Sequence, residues 1–238
     1  MKKELKNDDD WVVEDWKDGC RLVRYTGDIE EGSLVIPALI GDKKVYILGT
    51  GENIFGPDVE SAGLLTLVDI SQSVYLQEVG PKAFGGSCDN LVQVFFPTSL
   101  VYIGSNAFDD CVALQSIVIP EGVTSVMNNT FELCTSLKEI SIPNSVTSIG
   151  DSAFFGNYSL PNITIPQSVT FIDANVFYKC LALKSILIPN SVSSIGDSAF
   201  LYSGLTEIYL PKKFITAAEE KRIGIPDGAN VKETPPSP

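Results

Sequence analysis

A chain of 238 residues with no histidine has neither a Ser-His-Asp nor a Cys-His nucleophile pair, and it has no His-ligated zinc. Its 30 acidic residues against 17 basic ones leave a net charge of −13, which disfavours a nucleic acid partner because phosphate binding needs clustered Lys and Arg. No stretch approaches the run of about 18 apolar residues that a membrane helix requires, so membrane insertion is not expected.

In chain order, residues 1–10 (MKKELKNDDD) read as a flexible start. Their lysines suit a signal-peptide n-region, but Asn7 and Asp8 to Asp10 stand where an apolar segment belongs. Either the protein is cytosolic or a secretion signal lies outside these residues. Residues 11–36 read as an N-terminal β-hairpin cap, with strands at 11–16 and 20–25 around Asp18-Gly19. Trp11 and Trp16 are expected to cover the open end of the segment that begins at 37.

From 37 to 210 the chain is periodic. Pro97, Pro120, Pro143, Pro166 and Pro189 are spaced by 23 every time, and a phenylalanine follows each by eleven, at Phe108, Phe131, Phe154, Phe177 and Phe200. SIPNSVTSIGDSAF (141–154) and LIPNSVSSIGDSAF (187–200) differ at two positions of fourteen. Counted from the proline as zero, apolar residues recur at +3, +6, +11, +17, +20 and +22. With insertions upstream and one deletion downstream, the frame gives seven repeats and eight strand endings, at Ile36, Ile70, Phe96, Ile119, Ile142, Ile165, Ile188 and Leu210.

A period in the twenties with a Leu-x-x-Ile-x-Ile core is the mark of a leucine-rich-repeat solenoid. The expected fold is an α/β-type, mostly β and irregular, right-handed superhelix with a parallel concave sheet. Proline ends each strand because it has no N–H for the ladder, and the rest of the unit is expected to return as turns or short 3₁₀ helix. Gly104, Gly150 and Gly196 at +7 suit a tight turn, and Met127 and Asp173 depart from that pattern.

Residues 211–231 read as a C-terminal cap, with 214–224 helix-forming and Gly224 as its stop. Residues 232–238 end in TPPSP and read as a linker-like tail, which suggests a further segment beyond it.

Cys88, Cys111, Cys134 and Cys180 share one frame slot, and Asn157 and Ser203 fill it in other repeats. A small buried packing residue explains the slot better than a redox or metal centre does, so no metal or cofactor is expected. Cys20 lies outside the frame. The +21 residues, with their neighbours at +18 and +19, are expected to face outward from the sheet. Among them Phe95, Val118, Lys138, Glu139, Leu187 and Tyr209 are the candidate ligand contacts. A second aromatic group, Phe155, Tyr158, Tyr178 and Tyr202, is expected to cover the loops on the opposite side. No phosphate loop, dinucleotide fingerprint or nucleophile elbow is present, so an enzyme is not expected; paired carboxylates leave polysaccharide hydrolysis as a minor alternative.

The unit IP-x-x-V-x-x-IG-x-x-AF-x-x-C-x-x-L-x-x-I resembles the BspA-like leucine-rich repeats of bacterial surface proteins, over about 37 to 211. That resemblance implies a secreted or surface-anchored protein associated with adhesion to host proteins or other cells. The expected function is a non-enzymatic module that recognises a protein or glycan through its concave sheet, with a monomer favoured. A structural spacer presenting another domain is the alternative.

Overall fold

The computed structural model describes residues 11–26, 32–55 and 63–236. The expected flexible start, 1–10, lies outside the described residues. Trp11–Trp16 and Gly19–Tyr25 form the antiparallel hairpin, and Gly19–Tyr25 then pairs in parallel with Lys43–Leu48. The hairpin is thus the first rung of a sheet as well as a cap. Trp11 is buried and packs on Tyr25 with ring centroids 4.9 Å apart. Trp16 is exposed, with Arg21 over its ring.

With one exception, each repeat contributes one rung to a front ladder. Its strands are Ser33–Val35, Leu67–Asp69, Gln93–Phe95, Ser116–Val118 and Glu139–Ser141, then Ser185–Leu187, Glu207–Leu210 and Asn230–Glu233. All pair in parallel, as a coil of fixed hand demands. The rung expected to end at Ile165 is absent: no strand is formed there, and the ladder splits into two sheets. Pro161 accounts for this. At the equivalent position Gln115 N–H donates to Val92 O at 3.0 Å and Lys138 N–H to Gln115 O at 2.9 Å, a donor that proline lacks.

In the regular repeats the return path is made of turns, as one of the two expected forms, and of a second ladder that the sequence did not show. The residues at +5 and +6 form a second parallel ladder of two-residue strands, including Tyr102–Ile103, Ser125–Val126, Ser148–Ile149, Phe171–Ile172 and Ser194–Ile195. Period-two alternation explains it: the isoleucine or valine at +6 is buried while the +5 residue is at least partly exposed. Non-glycine residues in left-handed backbone at Asn106, Asn129, Ser152, Asn175 and Ser198, and again at Asp110, Leu133, Lys179 and Tyr202, make the two corners that close each turn.

Inside, Phe55, Phe84, Phe108, Phe131, Phe154, Phe177 and Phe200 form one file with neighbouring centroids 5.2 to 6.3 Å apart. From Phe84 onward the rings are within 14° of parallel. The cysteine slot lies beside this file. Cys134 Sγ donates to Phe108 O and Cys180 Sγ to Phe154 O, both at 3.2 Å, and Asn157 Nδ2 donates to Phe131 O at 2.9 Å. Each side chain satisfies a carbonyl of the preceding repeat, the packing role expected of the slot. All five cysteines are free and buried.

Serines tie the turns together after the proline. Ser99, Ser145, Ser168 and Ser191 each donate through Oγ to a carbonyl of the preceding repeat, at 2.6 to 2.8 Å. Gly122 takes that place in one repeat and makes no such bond. A Cβ there would sit 2.4 Å from Leu100 O. Five residues on, Met127 replaces the +7 glycine, and Tyr102–Ile103 and Ser125–Val126 fall in separate sheets. Asp173 fills the same slot yet its N–H still donates to Ile149 O at 2.9 Å. The loss at 122 and at 127 together marks this junction.

At the C-terminal end Thr216 caps the helix Ala217–Ile223 by accepting from Glu219 N–H, and Gly224 ends it in left-handed backbone. The chain then returns as Asn230–Glu233, a further rung beside Glu207–Leu210. The tail expected from 232 is therefore bound to the solenoid further than its composition suggests. Thr234 Oγ1 donates to Ile188 O at 2.7 Å, and Asn190 Nδ2 to Pro235 O at 2.9 Å.

Candidate binding face

The front ladder carries the outward row at +21, and besides the missing rung its pairing weakens between Gln93–Phe95 and Ser116–Val118. Leu67–Asp69 pairs with Gln93–Phe95 through three residues, and Ser116–Val118 pairs with Glu139–Ser141 through three. Between Gln93–Phe95 and Ser116–Val118 only Ser116 and Gln93 remain paired. The bond that closes the end of a rung runs from Ile36 N–H to Asp69 O, from Ile70 to Phe95 O at 2.9 Å, from Ile119 to Ser141 O at 3.0 Å and from Ile188 to Tyr209 O at 2.9 Å. Among the described residues no such bond joins Phe96 N–H to Val118 O. Phe96 is the aromatic member of a row otherwise made of Ile and Leu, and its ring packs edge-on against Phe108 at 5.9 Å. The larger side chain parts the two strands there.

Over this parting lies a groove of about 750 Å³. Phe95 and Val118 line it with side chains 41% and 66% exposed, and Phe96, Ile142 and the prolines 97, 120 and 143 are among its other apolar lining residues. Its charged lining residues are Asp69 and Glu121. Asp69 is buried and its carboxylate accepts from Ser71 N–H at 3.1 Å and Ser71 Oγ at 2.6 Å, while Glu121 is exposed.

The six candidate contacts do not form one surface. Phe95 and Val118 share the groove. Lys138 and Glu139 are exposed at its edge, Glu139 in register with Ser116. Leu187 and Tyr209 lie beyond the missing rung and pair with each other. Leu187 is exposed, but Tyr209 is half-buried: Lys232 Nζ lies 5.1 Å from its ring centroid and donates to its hydroxyl at 3.2 Å. Tyr209 thus serves the C-terminal rung, and its aromatic ring is not an open contact.

The sequence pattern missed two features. Phe96, assigned to the core row, reaches the groove; its only signal was an aromatic in an isoleucine slot. A smaller hollow of about 460 Å³ lies on the second ladder around Ser148, Phe171, Asp173 and Ser194, with Phe171 54% exposed where neighbouring repeats place serine. In the second aromatic group Phe155 stacks on Tyr178 at 4.8 Å and Tyr178 meets Tyr202 edge-on at 5.4 Å, while Tyr158 and Tyr202 remain exposed.

The thiols offer no chemistry at this surface. Burial pushes Cys180 up to about 12 and raises Cys88, Cys111 and Cys134 further, so the nucleophilic thiolate is suppressed. No cluster of metal-ligating side chains occurs among the described residues, and no helix among them is long and apolar enough to cross a membrane.

Among solved structures, the fold is similar to a leucine-rich repeat protein from Bacteroides ovatus, with a TM-score of 0.63 and 24% identity. The match covers 85% of this chain and 58% of that one, so the chain spans little more than half the length of that relative. It is similar too to the Treponema pallidum (T. pallidum) leucine rich repeat protein, with a TM-score of 0.56 and 19% identity over 95% of this chain and all of that one. A search of the curated proteins found no match. The BspA type leucine rich repeat region, in six copies, matches residues 62–181 and 124–221, and the chain belongs to this family of leucine-rich repeat proteins.

Proposed function

We propose that this protein is a non-enzymatic binding module, displayed on or secreted from a bacterial cell, that recognises a protein or glycan through the front face of its solenoid. The observation that carries the reading is the groove at the parted strands, where Phe95 and Val118 hold apolar surface open to solvent on a rigid scaffold. Repeat solenoids present extended surfaces of this kind for recognition, and exposed apolar area gathered in a concavity is costly unless it is used. Family membership supports the class of function, since leucine-rich repeats are in general protein-interaction modules.

The test is a comparison of wild type with Val118→Asp in affinity capture and on a glycan array. Val118 is two-thirds exposed, so the substitution spares the core. The expected result is a loss of affinity of at least about tenfold for whatever wild type retains, about 1.4 kcal/mol. Unchanged binding by Val118→Asp removes the groove as the site. An absence of any retained ligand favours the spacer alternative.

A further inference from the structure

Resting on that reading, we infer that the groove takes an extended basic peptide segment of a partner protein, with one aromatic or aliphatic side chain seated between Phe95 and Val118 and a Lys or Arg beside Glu121. Three features of the groove select this occupant. The first is size. The lining comes from four consecutive rungs, Leu67–Asp69 to Glu139–Ser141. At about 4.8 Å between strands that is roughly 14 Å, the reach of about four residues of extended chain.

The second is charge. The charged groups in the lining, Asp69 and Glu121, are acidic, and Lys138 and Glu139, both outside the lining and exposed at its edge, offset one another. Asp69 is occupied by Ser71, which leaves Glu121 as the exposed carboxylate for a cation. A net charge of −13 over the chain adds a long-range pull on a basic partner and repels an anionic glycan.

The third is the parted backbone. Phe96 N–H and Val118 C=O have lost the mutual bond that closes equivalent rungs, so one donor and one acceptor flank the apolar surface. A peptide group carries one of each and satisfies both. The arrangement matches an apolar side chain with its own main-chain amide close behind it.

The experiment is to pan a random linear peptide library against the whole chain, with counter-selection on Val118→Lys. The enriched peptides are then titrated by fluorescence anisotropy against wild type, Val118→Lys and Glu121→Gln at low and high salt. Enriched sequences are expected to place an aromatic or large aliphatic residue within two positions of Lys or Arg. Their affinity is expected to fall at least about tenfold in Val118→Lys and about threefold in Glu121→Gln, the latter difference shrinking at high salt. Enrichment of acidic peptides, or peptides that bind all three proteins equally, overturns the inference. If no peptide is enriched but an oligosaccharide or folded domain binds wild type and not Val118→Lys, the peptide is wrong and the binding face stands. If those ligands bind Val118→Lys as well as wild type, both are wrong.

Discussion

At the scale of the residue, the recurring cysteine shows how a position with apparent chemistry is set by packing. Its sulfur reaches one carbonyl of the preceding phenylalanine in repeat after repeat, and asparagine does the same in one of them. Ser203 shows the limit of the slot, because its shorter side chain leaves Oγ buried without a partner among the described residues. Folded protein at neutral pH should therefore show no rapidly reacting thiol in a colorimetric titration, and five after denaturation. Burial raises the thiol pKa, so native reactivity should stay absent until pH approaches the unfolding limit. A stoichiometric fast-reacting thiol in the native protein contradicts this assignment. The slot was legible in the sequence because unlike residues of small volume shared it. Phe96 was not: an aromatic in an aliphatic row has the right polarity for the core, and only the strand spacing shows that it does not fit there without opening a groove.

At the scale of the element, both ladders follow from alternation and proline placement, and their interruptions follow from single residues. Pro161 removes a donor and with it one front rung. Gly122 and Met127 together remove a serine bridge and a second-ladder pairing at one junction. Hydrogen exchange should report this directly. The Thr124 and Met127 amides, which lack the ladder bonds made by Thr147 N–H and Gly150 N–H at 2.9 and 2.8 Å, should exchange faster than those two by at least about tenfold. Equal protection at the four positions contradicts the interruption. The front strands and the C-terminal helix were legible from apolar spacing, the proline and Gly224. The second ladder was not, because a strand of two residues is too short for alternation to stand out from the three- to four-residue spacing around it. The left-handed corners were hidden for a related reason: Asn and Ser suggest turns, but Leu133, Lys179 and Tyr202 adopt the same backbone without any compositional sign.

At the scale of the whole molecule, the missing histidine and the excess of carboxylates now have a physical setting. Almost every recurring side chain packs a turn against its neighbour, and the acidic surplus sits mostly on the polar positions of the solenoid, where 16 acidic and 6 basic residues lie between 34 and 210. Like-charge repulsion from that distribution opposes self-association of a repetitive β surface. The distribution leaves the parted strands at Phe95 and Val118 as an opening in the stack lined by exposed apolar side chains. The candidate contacts were legible only as a row; which of them meet depends on the missing rung at 162–165 and on Lys232 folding over Tyr209, both set by tertiary pairing. The most direct test of recognition through this groove is hydrogen exchange of the protein with and without a bound ligand. Recognition there predicts ligand protection concentrated in 93–98 and 116–121, with little change at 185–187 and 207–210. Protection confined to the second ladder or to the opposite side, with 93–98 and 116–121 unchanged, contradicts it.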